Sequence, residues 1–347
     1  LAEVATQCYE QARDKIATFI NASHTNECIF VRGTTEAMNL VAHSFGQRYI
    51  AENDEVLIST MEHHSNILPW QQLCQQTGAK LKIIPMQPDG DLDLEEYEKL
   101  LNERVKMVSL VHASNTLGTV NPIKQMIRIA HNHGIPVCID GAQAIPHLPV
   151  DVQDLDCDFY AFSGHKLFGP TGIGVLYGKK TWLNEMPPYQ SGGGMISEVT
   201  FEQSTFADIP AKFEAGTPAI AEAYALGSAI DYFSSLDIQA LIEHEQQLLH
   251  VAHEKLREIP GLTVYGEAKH KISVISFTIE GIHPHDLGTI VDQSGVAIRA
   301  GHHCTMPLME YYKVPAMARA SFAIYNTLAE IDHLVDALNR AKKIFKK

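Results

Sequence analysis

Short apolar runs alternate along the first half of the chain with segments whose apolar residues recur every three to four positions. Residues 28–32, 55–59, 80–85, 105–112, 136–140, 156–163 and 173–177 have the apolar content of buried strands. Residues 35–49, 66–77, 93–103 and 122–133 between them have helical spacing, as with Ala37, Leu40, Val41 and Ser44 on one face. This alternation predicts a mostly parallel sheet covered by helices on both faces. In such sheets ligands gather at the carboxyl ends of the strands.

The pattern changes after Tyr177. Residues 186–194 read as a Gly- and Pro-rich loop, and 198–206 alternate as a small hairpin does. Thr217-Pro218 has the form of a helix start, with Thr as N-cap and Pro in the first turn. Helices to about residue 233 and over 238–256 follow, then strands at 262–265, 272–279 and 297–299. A last helix at 328–345 carries Ile331, Leu334, Val335, Leu338, Ala341 and Ile344 as one stripe. The expected organisation is a large α/β domain over 1–229 and a smaller α+β domain over 230–347. The first residues read as the middle of a helix, so a native segment is expected to precede Leu1.

Composition narrows the function more than the fold. The 347 residues are 45% hydrophobic and 20% charged, the profile of a globular protein. A net charge of −14 disfavours nucleic acid and anionic membrane as main partners. No apolar stretch has the length of a membrane span or the form of a secretory leader. The six cysteines are scattered without a C-x-x-C pair, which points to a reducing, cytoplasmic setting. His131-x-His133 and His302-His303 lack the usual ligand spacing, and no metal is expected.

Chemistry concentrates where predicted strands end. Ser163-Gly164-His165-Lys166 opens a Gly- and Pro-rich turn between two apolar runs, and a desolvated lysine there is a nucleophile toward carbonyls. Arg32-Gly33-Thr34-Thr35-Glu36 offers a glycine and hydroxyls at a helix N-terminus, which suits a phosphate, or simple capping by Thr34. Asp140 ends an apolar strand and needs a cationic partner, either a protonated pyridine nitrogen or an arginine, unless it only caps a turn. Gln143 follows it closely. His63 can stack on an aromatic ring or exchange a proton, whereas His64 reads as a polar loop residue. Arg299-Ala-Gly-His-His-Cys304 places a thiol beside positive charge, which favours the reactive thiolate. A phosphate cradle, a carboxylate for a ring nitrogen and a lysine for an aldehyde are together what pyridoxal phosphate requires.

The ordered motifs T-T-E-A-x-N-L, E-H-H-S-N, S-N-T-L-G, D-G-A-Q, S-G-H-K, F-E-A-G-T-P and R-x-G-H-H-C resemble those of the SUF-type cysteine desulfurase and selenocysteine lyase subfamily. That subfamily belongs to the class V aminotransferases, fold type I of the pyridoxal phosphate enzymes. The resemblance implies a mostly parallel seven-stranded sheet domain and a smaller α+β domain bearing the catalytic cysteine. It implies that Lys166 holds the cofactor as a Schiff base, that Asp140 pairs with the ring nitrogen and Gln143 with the ring hydroxyl, and that His63 stacks on the ring. Thr35, Ser163 and His165 are implied to hold the phosphate, with Thr217 reaching that of a neighbouring subunit in a homodimer. Asn115, Arg299 and Arg319 are implied to bind the carboxylate of L-cysteine or L-selenocysteine, and Cys304 to accept its sulfur for a small SUF-type acceptor protein. Without the resemblance, Arg319 reads as part of a surface salt bridge. Thr305 stands where the subfamily commonly has alanine, and Gln190-Ser191 replaces the usual Glu-Gly. The competing readings are another class V enzyme such as an aminotransferase or epimerase, a non-catalytic subunit of the same fold, and a metal site at His302, His303 and Cys304.

Overall fold

A computed structural model describes residues 1–345. Seven strands, β1 (Cys28–Val31), β2 (Glu55–Ser59), β3 (Lys80–Ile84), β4 (Val105–Val111), β5 (Val137–Asp140), β6 (Phe159–Ser163) and β7 (Gly174–Gly178), form one sheet. Its order is β3-β2-β4-β5-β6-β7-β1. β3 through β6 run parallel, and β7 lies antiparallel between β6 and β1. The helices are α1 (Ala2–Phe19), α2 (Thr34–Tyr49), α3 (Leu68–Thr77), α4 (Leu94–Leu100), α5 (Ile123–Asn132), α6 (Val152–Leu155), α7 (Lys180–Glu185), α8 (Ile220–Ser234), α9 (Ile238–Arg257), α10 (Pro284–Asp292), α11 (Met306–Tyr312) and α12 (Leu328–Phe345).

Strand alternation divides the core between the two faces of this sheet. In β6, Tyr160 and Phe162 join a core with α1, α5 and α8, while Phe159 and Ala161 join one with α2 and α3. α1 and α8 meet closely at Gly227, where a β-carbon would sit 3.1 Å from that of Ala12. A second sheet, all antiparallel, has the order β10-β11-β13-β12 from β10 (Leu262–Tyr265), β11 (Val274–Ile279), β12 (Arg299–Gly301) and β13 (Met317–Ser321). α9, α10 and α12 cover it around Leu248, Phe277, Leu287, Ile331 and Leu338. The pair β8 (Ile196–Val199) and β9 (Ser204–Phe206) forms the expected hairpin.

Three expectations shift. The division expected at 229/230 falls within α8, whose Ala223, Leu226, Ile230 and Phe233 join the first core. α8 begins at Ile220, with Ala219 as an N-cap that makes no side-chain bond. Thr217 is therefore no cap of α8: it stands two residues before the N-cap position. The periodicity did not reveal α10, α11 or β13, which are short and carry Pro, His or Arg among their apolar residues.

Candidate active site

The carboxyl ends of β1, β2, β4, β5 and β6 lie along one edge of the large sheet, and each delivers a polar residue there. β5 ends at Asp140, which is buried. Its carboxylate has one hydrogen bond among the described residues, accepted from the Ala142 N–H at 3.0 Å, so the turn-capping reading is correct as far as it goes. One donor does not satisfy a buried carboxylate. Burial pushes Asp140 above the usual carboxylate range, and the Lys166 ammonium pulls it back. The chain turns sharply past it at Gly141, where a β-carbon would lie 2.1 Å from the Tyr160 ring. No other residue fits there without displacing that ring.

Lys166 follows β6 on a 3-10 turn, Gly164–Lys166. Desolvation lowers its pKa, and Arg319 and Arg299 lower it further against the pull of Asp140 and Cys304. The amine is thus shifted toward its nucleophilic form. Ser163 is buried, and its Oγ accepts the Thr34 N–H at 2.9 Å and lies 2.9 Å from Thr34 Oγ1. Thr34 is therefore not the N-cap of α2; that is Gly33, without a side-chain bond. Thr35 is exposed at this helix start, and exposed His165 lies beside Lys166 with its pKa lowered by burial and that ammonium.

His63 is pinned by its Nδ1, which accepts the Ser65 N–H at 3.1 Å and lies 2.7 Å from Ser65 Oγ. Burial and the nearby Lys166 lower its pKa to about 4, so the ring is neutral near pH 7. Gln143 is half-buried on the turn after β5, and its amide makes no hydrogen bond among the described residues. Thr217 makes no side-chain hydrogen bond among the described residues. It is exposed in a cleft of about 380 Å³ with Tyr9, Phe30, Arg32 and Tyr189.

The second sheet closes the site from the other side. Arg299 and Arg319 are direct partners on β12 and β13. Like charges so placed repel, which is tolerable where an anion is to lie between them. Arg319 is no surface salt bridge: it pairs with no carboxylate among the described residues and donates from Nη1 to the Asn115 carbonyl at 2.7 Å. Burial and Arg299 lower its pKa to about 10. Asn115 is buried and donates from Nδ2 to the His303 carbonyl at 2.7 Å.

Cys304 is half-buried, and Arg299 Nη2 donates to its Sγ at 3.5 Å. His303 and Cys304 both have left-handed backbone, φ 53° and 60°, a conformation that side chains other than glycine adopt at a cost. The loop is held by the Cys304 N–H donating to His302 Nδ1 at 3.0 Å and by the His64 N–H donating to the Cys304 carbonyl at 2.8 Å. His64 Nε2 accepts the Met306 N–H at 3.1 Å. His64 is therefore a support of the thiol loop rather than a free polar residue, and only the fold could show it. The trio His302, His303 and Cys304 does not assemble. His303 is turned into the protein at 1% exposure, and the grouped ligand atoms belong to His64, His302 and Cys304, within 4.8 Å of one another.

Four buried polar positions beside these groups lack partners among the described residues: Asn115 Oδ1, both ring nitrogens of His303, and Arg319 Nε. Buried groups of this kind are normally bonded, so the site is incomplete without a polar ligand. A protonated ring nitrogen would complete Asp140, an aldehyde would suit Lys166, and an amino-acid carboxylate would suit Arg319. The donor set fits pyridoxal phosphate with a bound amino acid.

The class-V aminotransferase family matches residues 1–334. A probable cysteine desulfurase of Halalkalibacterium halodurans is 51% identical over 345 residues, covering 99% of this chain and 85% of the relative. A cysteine desulfurase of Escherichia coli is 50% identical over the same coverage. Among solved structures, the cysteine desulfurase CsdA of Escherichia coli superposes with a TM-score of 0.95 at 39% identity, over 99% of this chain and 86% of that one. A cysteine desulfurase of Thermococcus onnurineus superposes with 0.94 at 36% identity, over 98% and 85%.

Proposed function

The chain belongs to the class-V aminotransferase family, and on that premise we propose that it works as a cysteine desulfurase, converting L-cysteine to L-alanine with Cys304 as sulfur acceptor. The fold is type I of the pyridoxal phosphate enzymes. The observation that carries the reading is the convergence of a desolvated lysine, a buried carboxylate, two facing arginines and one accessible thiol from two different sheets.

Pyridoxal phosphate supplies an aldehyde that condenses with amines and a protonated ring that withdraws electrons from a bound amino acid. Lys166 is the residue to hold that aldehyde, Asp140 the one to keep a proton on the ring nitrogen, and Gln143 the one to face the ring oxygen. His63, neutral and pinned through Nδ1, presents a flat face for stacking. Thr35 at the start of α2, Ser163 bonded to that helix start through the Thr34 N–H, and His165 on the turn after β6 are the residues to hold the phosphate, which a helix N-terminus favours.

Arg319, with Arg299 and Asn115, holds the substrate carboxylate. The Lys166 amine takes the α-proton, its lowered pKa making the neutral base available. The Cys304 thiolate attacks the substrate sulfur: a sulfur–sulfur bond forms, the substrate carbon–sulfur bond breaks, and the carbon is protonated to give alanine. The balance is cysteine plus a thiol giving alanine plus a persulfide, with no external oxidant. The Arg299 N–H at the sulfur stabilises the anionic nucleophile.

Finer points belong to the same proposal. The half-buried thiol on a short, anchored loop suits hand-over to a small acceptor protein of the SUF type. Thr217, exposed in its cleft, suits contact with the phosphate of a second copy in a homodimer. The six free cysteines suit a reducing compartment such as the cytoplasm. Selenocysteine is a second substrate because selenium leaves more easily. Among the described residues no helix is long and apolar enough to cross a membrane.

The test is incubation with L-cysteine followed by intact and peptide mass measurement. The expected result is one added sulfur on Cys304 and stoichiometric alanine. Pyruvate or a keto acid in place of alanine, with Cys304 unmodified, overturns the reading.

A further inference from the structure

Lys166 is not the only lysine removed from water. Lys271 is 8% exposed, just before β11, and its Nζ donates to the Gly266 carbonyl. No carboxylate lies at ion-pair distance from this amine among the described residues. It lines a cavity of about 390 Å³ between α9 and the segment 267–271, and no residue of the Lys166 or Cys304 groups lines it. That volume is at the small end for a ligand site.

Three cations and two carboxylates are among the residues that line this cavity. His250, His253 and Arg257 come from α9, and Lys269 and Lys271 from the following segment; the acids are Glu254 and Glu267. Glu267 pairs with Arg257, and Glu254 lies 3.4 Å from exposed His250. Two lysines are left without a carboxylate. The lining carries one more cation than carboxylates, and it offers an anion Lys269 and the unpaired N–H groups of Arg257, and a carbonyl the Lys271 amine. Burial supports the second role, lowering Lys271 to about 8, so that a useful fraction is free base near neutral pH. His253, beside Lys271 and Arg257, is held neutral by burial and these cations, so it can share a proton with an anionic group rather than repel the lysine.

We propose that this cleft is a second carbonyl-binding site, in which the Lys271 amine condenses with a small phosphorylated aldehyde while Arg257, His253 and Lys269 hold the phosphate. The step balances without a redox partner: the amine nitrogen adds to the carbonyl carbon, the carbonyl oxygen leaves as water, and a carbon–nitrogen double bond forms. The protein's own cofactor in excess is one such aldehyde, so the cleft is a place where it accumulates outside the catalytic centre. The site is distinct from the Lys166 centre and stands whether or not that centre desulfurates cysteine.

The experiment loads the holoenzyme, adds excess pyridoxal phosphate near pH 7.5, reduces with borohydride and maps the labelled peptides. Lys166 reports the catalytic centre, and exposed Lys99 reports non-specific labelling. Lys271 is expected to label about tenfold or more faster than Lys99, as a desolvated amine does. Pyridoxal without the phosphate should label Lys271 several-fold more slowly, and inorganic phosphate should compete. Lys271→Arg should lose this label while keeping that on Lys166 and the rate of alanine formation. Arg257→Gln should slow the Lys271 label alone. Labelling of Lys271 no faster than Lys99 overturns the proposal, and equal labelling by pyridoxal and its phosphate overturns the phosphate contact.

Discussion

The two sides of the active site are built by opposite means. On one side Asp140, Ser163 and Lys166 sit at the ends of parallel strands, where neighbouring strands fix each Cα before any side chain is chosen. On the other, Cys304 sits on a loop with two consecutive left-handed residues, and its position is set by histidine and backbone bonds from the first side. The first arrangement suits groups that must hold one geometry through a reaction. The second suits a nucleophile that must meet a substrate and then give up what it has taken. Strand-end support and loop delivery are thus assigned to different sheets, and the 114–116 turn joins them. Through it, Asn115 bonds the thiol loop and Arg319, Thr116 Oγ1 lies 2.9 Å from Thr305 Oγ1, and the Thr116 carbonyl accepts from Ser276 Oγ at 2.5 Å.

The largest effects should separate the two sides cleanly. Cys304→Ser should lower alanine formation from cysteine by about a thousandfold or more, the loss expected of a nucleophile, while the bound cofactor keeps its absorbance. Cleavage of selenocysteine should survive in part. Lys166→Ala should lower turnover by about a hundred- to ten-thousandfold for both substrates, as loss of a general base does. If Cys304→Ser abolishes both reactions equally, the thiol is not confined to delivery and the contrast fails.

Smaller losses should grade by side. Asp140→Asn removes the charge that holds a proton on the ring, and should lower kcat by about a hundredfold with a shifted cofactor spectrum and little change in KM. Arg319→Lys should instead raise KM for cysteine by about tenfold or more, the value of one charged hydrogen bond, with kcat nearly kept. A KM effect for Asp140 and a kcat effect for Arg319 would reverse the assignment.

The first side was legible in the sequence and the second only by resemblance, for a physical reason. Strand-end residues are announced by the apolar run before them: residues 136–140 and 156–163 placed Asp140 and Lys166 within a residue or two of where they stand. Arg319 lies in a five-residue strand whose small apolar neighbours, Met317, Ala318 and Ala320, do not distinguish strand from helix. His64 supports Cys304 across 240 positions of chain, and no local pattern carries such a contact. Thr217-Pro218 is a favourable cap pair by itself, but the helix begins two residues later, at Ile220, and nothing in that dipeptide fixes where the first helical turn closes.

Acid should weigh on the two sides differently. Burial lowers His112, beneath Asp140, and His303, behind Cys304, to about 4. For such a group stability is complete above the unfolded pKa near 6.5 and is lost as pH falls toward 4, because only the unfolded chain takes the proton; each fully buried histidine contributes a slope of about 1.4 kcal/mol per pH unit. Glu62, buried on the Asp140 side and raised to about 7, works in reverse: its folded form binds the proton first, so it adds stability as pH falls from 7 to its unfolded value near 4.5. The strand-end side therefore contains its own compensation and the thiol side does not. Between about pH 7 and pH 5, His303→Asn should lose less urea resistance than the unaltered chain, and Glu62→Gln should lose more. Equal losses in all three would show that neither group titrates on folding.

The smallest effect tests the joint itself. Thr305 is fully buried, its Oγ1 donates to the His302 carbonyl at 3.0 Å, and it leaves its oxygen to accept from Thr116. Thr305→Ala, which restores the residue common in the resembling subfamily, removes this relay and strands the Thr116 hydroxyl. The cost should be about 1–2 kcal/mol of folding stability by urea denaturation. Thr116→Val in the same chain removes the stranded hydroxyl, so the double variant should be more stable than the sum of the two single losses, with a coupling of about 0.5–1 kcal/mol or more. Turnover should respond less than stability, because the His64, Asn115 and Cys304 backbone bonds still seat the loop. Additive losses would mean that the two threonines do not form one unit, and that the thiol loop is held to the strand-end side by Asn115 and His64 alone.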